Sequence, residues 1–496
     1  MSLIEKFNKK SNLIFYLIIF SFIILIRFPF FFVDYLDSDE ATFILKGLAI
    51  LKGKIPYIDF QNYKPPISGY FLSLPIYIAD NSLFAIRFFT ALIVSLSSIY
   101  LYKIGILYRY SKLSSLIMSM VFGLSTSFIS RSEKSQSFYS EHISIMLILI
   151  CFYLLIKCLK NKRIDYFFFQ GCCLGVATLN TPYIGFFSLL YVTFPFFFFT
   201  DKNNKKIIYS LFIIFGGSLV LLIFLFYFYP KVPNLISYII TVGLSEIFYT
   251  YSETIYRLIG AGLHIGRLKF FSAVCIWGLG FLGILHILFT KNYEKKYIIL
   301  LINLIILSIS IILIRYPSGR YLIIILPFYC ILLTYFLNLK IFNEYKVIKK
   351  FVLILIFLFP FVEWYKNILI LNNVTLNKTT LTYGRCTDLY NSLEKNNLLN
   401  KKIYFSDCHI TKFFMNQLPL MDLYHPADIF YEDRMRAYNK KYSGDELLNT
   451  NPEILVLSEN IDQFMKRLKF NKFKLDNVLT EYKYLYRSSN FYIYKK

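Results

Sequence analysis

A chain of 496 residues that is 56% hydrophobic, 17% charged and of mean hydropathy +0.52 is too apolar for a soluble globular protein, in which about a quarter of residues are charged. Its 54 Lys and Arg against 30 Asp and Glu give a net charge of +24. These cations fall mostly between apolar stretches, with no long basic run and no RNA-binding signature, so membrane topology accounts for them and nucleic-acid binding is argued against.

Lys6, Lys9 and Lys10 precede an apolar run over 12–33, too long for a signal-peptide core and without a small-residue cleavage site, which predicts an uncleaved first span. Runs long enough to cross a bilayer core of about 30 Å follow at 83–105, 113–130, 141–157, 165–180, 183–200, 207–229, 270–290, 297–314, 321–338 and 348–369, eleven in all. The division of 165–200 around Asn180-Thr181-Pro182 is open. With the N-terminus inside, the short inner loops hold Lys103, Arg109 and Lys112; Lys157, Lys160, Lys162 and Arg163; Lys202, Lys205 and Lys206; Lys291, Lys295 and Lys296; and Lys340, Lys346, Lys349 and Lys350. The outer loops 34–82, 131–140 and 230–269 are longer and richer in acids. That alternation is the positive-inside pattern, and an odd number of spans places the C-terminal part outside.

From about 370 the composition turns polar. Lys402 to Ser406 and Glu453 to Leu457 read as short buried strands, Asp388–Leu398 and Ile461–Leu468 as helices, and Tyr484–Tyr494 as two strands about a turn. The expected architecture is a polytopic α-helical membrane domain over 1–369, with a first outer loop at 34–82, and a small extracytoplasmic α/β domain over 370–496. Six of the eight cysteines lie in apolar runs and no zinc spacing occurs; Cys386 and Cys408 are able to pair if their surroundings are oxidising, which the sequence leaves open.

The first outer loop is dense in chemistry: Asp37-Ser38-Asp39-Glu40, then Gly53-Lys54-Ile55-Pro56-Tyr57, then Lys64-Pro65-Pro66. Ile44, Leu48 and Leu51 at helical spacing predict an amphipathic helix lying on the membrane surface, with two adjacent carboxylates at its N-terminus. The bland alternative is that Asp37 or Ser38 caps the helix while Asp39 and Glu40 complement its dipole. For Lys64 it is interfacial snorkelling.

Asp39-Glu40-Ala41, Gly53 to Asp59, Lys64-Pro65-Pro66 and Arg87 together resemble the first extracytoplasmic loop of GT-C glycosyltransferases. The nearest group is that of the dolichyl-phosphate-mannose protein mannosyltransferases and the bacterial aminoarabinose and lipopolysaccharide-core sugar transferases. Ser140-Glu141, Gly171, Gly175, Gly319-Arg320-Tyr321 and Pro327 extend the resemblance over roughly 20–330. Many bacterial relatives carry His where this chain has Arg320, so a role for that His does not transfer.

The resemblance implies inverting transfer of a sugar from a polyprenyl-phosphate donor to a glycan, lipid or protein acceptor, outside a bacterial plasma membrane. Asp39 is then the expected base, with Glu40 orienting the acceptor or tuning Asp39. Lys64 and Arg320 are expected to meet the leaving phosphate, and Glu141 and Tyr321 to line the substrate site. Arg315, Arg257, Arg267 and Lys269 are reserve cations. Arg27 and Arg87 are expected to brace the first loop by pairing with its acids. Glu141 also reads as part of a helix start capped by Ser137, and His142 as packing. His409 and His425 read as turn chemistry. No cofactor is expected beyond the donor itself, no metal-ligand spacing is evident among the five His, and dependence on a divalent ion is open. No P-loop or Rossmann fingerprint is present. The competing class is a transporter or flippase of lipid-linked sugars, which would concentrate polar residues near the bilayer midplane.

Overall fold

The computed structural model describes residues 3–60, 66–80, 82–128, 136–232, 235, 269–290, 294–312, 319–421, 443–468, 481–488 and 490–496. Its principal helices are α1 (Leu3–Arg27), α2 (Ser38–Leu51), α3 (Ile67–Ile78), α4 (Leu83–Leu107), α5 (Lys112–Phe128), α6 (Ser140–Cys158), α7 (Ile164–Asn180), α8 (Gly185–Phe198) and α9 (Asn203–Phe228). They continue as α10 (Lys269–Phe289), α11 (Lys295–Ile312), α12 (Leu326–Leu337), α13 (Lys346–Asn373), α14 (Arg385–Lys395), α15 (Thr411–Phe414), α16 (Ser443–Asn449) and α17 (Ile461–Lys466). A helix lies on each of the eleven apolar runs. Among the described residues five segments are long and apolar enough to cross a membrane, Asn12–Phe32, Leu83–Leu107, Ser140–Cys158, Asn203–Phe228 and Lys295–Ile312. The open division of 165–200 falls at Asn180, where α7 ends and a 3-10 turn, Pro182–Ile184, leads into α8.

The chain divides into two compact units. The first holds Met1–Phe30, Phe88–Pro233 and Gly243–Ile370, and is helical. Its tightest crossing is α7 on α9, where a methyl added at Gly171 would overlap the Ile213 carbonyl oxygen and one at Gly216 that of Phe168. Small residues let two backbones approach this closely where lipid supplies no hydrophobic drive, so packing and a few hydrogen bonds must hold the helices. One such bond joins α8 to α11, Tyr191 Oη donating to Asn303 Oδ1 at 3.0 Å. Another joins α13 to α1, Trp364 Nε1 donating to the Leu25 carbonyl at 2.9 Å.

The second unit unites Phe31–Arg87, Asn234–Val242 and Leu371–Lys496, so the first loop and the C-terminal part form one body. Its four-stranded sheet comprises β1 (Ile403–Phe405), β2 (Ile454–Leu457), β3 (Lys483–Ser488) and β4 (Phe491–Lys495) in the order β1-β2-β4-β3. β1 runs parallel to β2 with Ile403 opposite Ile454, and the β3–β4 hairpin adds antiparallel. Leu455, Leu457, Phe464, Met465 and Tyr494 form the buried core over it.

The expected surface helix is instead buried. In α2 the residues Glu40, Ala41, Thr42, Ile44, Leu45, Lys46, Gly47, Leu48 and Ala49 are covered, a wider face than the Ile44–Leu48–Leu51 stripe, and Leu51 is exposed. The physical reason is partnership: α2 packs on α3 and on α15, and Lys52 Nζ donates to the Asn416 carbonyl at 2.9 Å.

The first loop is joined to the C-terminal segment by its backbone as well. The Tyr383 amide donates to the Phe32 carbonyl and the Asp34 amide to the Tyr383 carbonyl, at 2.9 and 3.0 Å. Asp34 then caps α14 from more than three hundred residues away, its Oδ2 accepting from the Thr387 amide at 2.6 Å. The residue at the cap position, Gly384, has φ +131 and no room for a Cβ against the Asp34 carboxylate. Burial raises the Asp34 carboxyl above the ordinary range, opposed by the Thr387 hydrogen bonds and by Arg87. Next to it Cys386 is disulfide-bonded to Cys408, with Cα atoms 5.5 Å apart, which resolves the pairing the sequence left open.

Candidate active site

In the second unit, α2 begins at a true cap: Asp37 is extended (φ −152, ψ 147) and its Oδ1 accepts from the Asp39 amide at 2.8 Å. Glu40 is 2% exposed and Arg87 is 1% exposed. They form a buried pair, with Arg87 Nη2 3.0 Å from Glu40 Oε2 and Nε 3.5 Å from Oε1. Arg87 Nη1 also donates to the Val33 carbonyl. One guanidinium therefore ties the first turn of α2 to the strand-like segment before it. Asp39, one residue earlier and about 100° around the helix, is only half-buried. Of the two adjacent carboxylates, then, Glu40 is engaged in bracing and Asp39 stands nearer the surface.

The neighbouring wall comes from the C-terminal residues. His409 Nε2 lies 3.3 Å from Thr42 Oγ1, which donates to the Ser38 carbonyl at 2.9 Å. The His409 ring meets Tyr35 edge-on at 6.2 Å. Arg385 covers Tyr35 at 5.2 Å and pairs with Asp407 at 2.9 Å. Burial, with Asp407 and Asp37 nearby, pushes the Tyr35 phenol upward, so it stays a neutral hydroxyl. Sequence reading gave His409 to turn chemistry. The one signal that it approaches α2 was its place beside Cys408, whose partner Cys386 lies in the first turn of the helix that Asp34 caps.

The Gly53 to Asp59 motif makes a turn. Gly53 and Tyr57 take positive φ, and Asp59 Oδ2 accepts from the Ile55 amide at 2.7 Å while Lys54 lies 3.6 Å from Asp59. Lys64 lies outside the described residues, as do Arg257, Arg267, Arg315 and His425, and the side chains of Lys269 and Arg320.

In the first unit, Glu141 occupies the first turn of α6 and is 1% exposed. Ser140 Oγ donates to its Oε2 at 3.2 Å, and Oε1 has no partner among the described groups. The helix starts at Tyr139 rather than at the expected Ser137: His142 Nδ1 reaches back to accept from the Tyr139 amide at 3.2 Å, and the two rings stack at 5.7 Å. Asn180 fastens this start to the α7–α8 break, its Nδ2 donating to the Ser140 carbonyl at 2.6 Å and to Ser144 Oγ at 2.8 Å. Tyr321 is buried in a 3-10 turn, Gly319–Ile324, that packs on α6. Arg27, also buried, donates from Nη1 to the Gln136 carbonyl at 3.3 Å. Among the described residues no three His, Cys, Asp or Glu gather as metal ligands.

The apolar helices are those of an integral membrane protein. Residues 63–229 match the dolichyl-phosphate-mannose-protein mannosyltransferase family. The fold is similar to that of ArnT from Cupriavidus metallidurans bound to undecaprenyl phosphate, with TM-score 0.60 and 11% identity over 97% of both chains. The apo state of that ArnT gives TM-score 0.57 and 10% identity over 92% of both chains. The apo oligosaccharyltransferase of Archaeoglobus fulgidus gives TM-score 0.50 and 11% identity over 91% of this chain and 70% of that one. No curated protein matches by sequence. The family match covers about a third of the chain, and the likenesses to solved structures, at 10–11% identity, show a shared fold.

Proposed function

We propose that this protein is an inverting glycosyltransferase that moves a sugar from a polyprenyl-phosphate carrier to an acceptor hydroxyl on the extracytoplasmic face of a bacterial plasma membrane. The observation that carries the reading is the division of labour at the start of α2. Arg87 engages Glu40, and Asp39, half-buried beside it, is the carboxylate assigned to the acceptor. In this reaction the acceptor oxygen attacks the anomeric carbon as its proton passes to Asp39. The bond from that carbon to the phosphate oxygen breaks, and its electron pair leaves with the polyprenyl phosphate. Single displacement needs no covalent sugar intermediate, so one base suffices. Lys64 and Arg320 are assigned to the departing phosphate, whose growing charge cations stabilise. Glu141 and Tyr321 are assigned to substrate binding.

Topology fits the outer face. That the first loop and the residues after 370 share one compact unit supports the reading that both lie on the same side of the membrane, as eleven spans would give. The Cys386–Cys408 disulfide fits an oxidising compartment.

The test is Asp39→Asn assayed with lipid-linked sugar in purified membranes. Transfer is expected to fall by about 10²–10⁴ with the unfolding temperature unchanged. Wild-type turnover by that variant removes Asp39 as the base. Product mass spectrometry separates the enzyme from a carrier, which would move the lipid and make no glycoside.

A further inference from the structure

At the end of α6 away from Glu141, the structure gathers two lysines and four tyrosines that the transfer reaction does not use. Lys103 of α4 lies over Tyr100 at 4.7 Å, over Tyr16 of α1 at 5.5 Å and over Tyr153 of α6 at 6.0 Å. Lys157 lies over the same Tyr153 at 5.6 Å and over Tyr166 of α7 at 4.7 Å. Tyr100 and Tyr153 meet edge-on at 5.7 Å. All six side chains are half-buried, and the two ammonium groups bear on each other through space.

Three other cations at this end of the helices have carboxylates. Lys162 pairs with Asp201 at 2.5 Å, Arg163 with Asp165 at 2.7 Å and Lys296 with Glu294 at 3.0 Å. Lys103 and Lys157 have none among the described side chains. Two like charges, partly removed from water and sharing one aromatic face, repel, and tyrosine faces offset only part of that. An anion between them would remove the repulsion and accept from both ammoniums and the phenols.

We propose that this cluster is a binding site for the phosphate headgroup of an anionic phospholipid of the inner leaflet. The inner-loop charge pattern puts these helix ends at the cytoplasmic interface, where tyrosines collect and basic pockets between spans take phosphate headgroups. The surface beside the cluster suits acyl chains: Leu13 and Leu17 on α1 are 55% and 56% exposed, and Ile106 on α4 is 39% exposed.

The experiment is native mass spectrometry of the full chain in detergent, with added phosphatidylglycerol or phosphatidylcholine. Wild-type protein is expected to retain phosphatidylglycerol in preference to phosphatidylcholine. Lys103→Gln with Lys157→Gln is expected to lower that retention about twenty-five-fold, at the roughly fivefold that one interfacial cation contributes. Lys162→Gln, whose charge is already matched by Asp201, should leave it unchanged. Should the double variant not fold, Lys157→Gln alone is expected to lose about fivefold. The paired Lys→Arg variants should retain the lipid. Equal retention by wild type and glutamine variants overturns the site. Displacement of the lipid by inorganic phosphate reassigns it to a soluble anion and overturns the lipid proposal.

Discussion

Two buried glutamates, one in each unit, are handled in opposite ways. Glu40 and Glu141 both sit in the first turn of a helix, 2% and 1% exposed. Glu40 is met by a guanidinium on both oxygens, whereas Glu141 has one short-range hydroxyl and an oxygen with no described partner. A fully matched buried charge braces a structure. An unmatched polar atom is destabilising and calls for a ligand or a task to explain its place. The contrast fits Glu40 as a brace and is consistent with the substrate-binding role proposed for Glu141.

The sharpest way to break this comparison is to remove the guanidinium. Arg87→Ala strands the Glu40 carboxylate and is expected to lower stability by about 3–5 kcal/mol, read as a fall in unfolding temperature. Glu40→Leu with Arg87→Met should recover at least half of the loss; equal damage by both variants would mean that the pairing is not what Arg87 contributes.

A second test uses a buried cation of the same unit, Lys412, that has no acid among the described side chains. Lys412 is 3% exposed, donates to Gln417 Oε1 at 3.0 Å and lies over Phe405. Burial lowers its ammonium from 10.5 to about 8. Between those values the unfolded chain holds a proton that the folded chain has released, so stability rises with pH across that window. The slope is at most about 1.4 kcal/mol per pH unit. Below the lower value the destabilisation is fully present. Denaturant unfolding should show the slope in wild type and lose it in Lys412→Met.

Asp34 is a third buried acid, matched by backbone amides rather than by a cation alone. Asp34→Ala should cost about 1 kcal/mol through the lost cap on α14, while Asp34→Asn, which keeps an acceptor, should cost less. Equal losses in thermal unfolding would show that charge, not capping, is what Asp34 supplies. Smallest in stability is Glu141→Gln, expected within about 0.5 kcal/mol of wild type because no ion pair is broken. Its transfer rate should nevertheless fall. Unchanged transfer kinetics would return Glu141 to an ordinary helix start.

Much of this was legible in the chain. Hydrophobic runs placed helices at all eleven positions because backbone groups in lipid must be satisfied within the segment, which leaves little choice but helix. Short apolar runs bounded by polar turns placed β1 and β2, because a fully buried strand is a continuous apolar run, and the terminal hairpin, two strands about a turn. Asp37-Ser38-Asp39-Glu40 announced a helix start, and Asp37 is its cap. The site was less legible. That Arg87 meets an acid of the first loop was an expectation from sequence; that the acid is Glu40 rather than its neighbour depends on which side of α2 faces Arg87. His409 next to Thr42 and the Asp34 cap on α14 had no local signature, because each joins residues more than three hundred positions apart.

The sequence by itself determined the membrane class, the helices and the polar turn that opens α2, because hydropathy, periodicity and capping act within a few residues of one another. Only the tertiary structure decided that α2 is buried rather than spread on a surface, that Gly384 must lack a side chain, and which of two adjacent carboxylates is bound by arginine. Those outcomes depend on contacts between segments far apart in the chain, and neither composition nor spacing carries the distance between them.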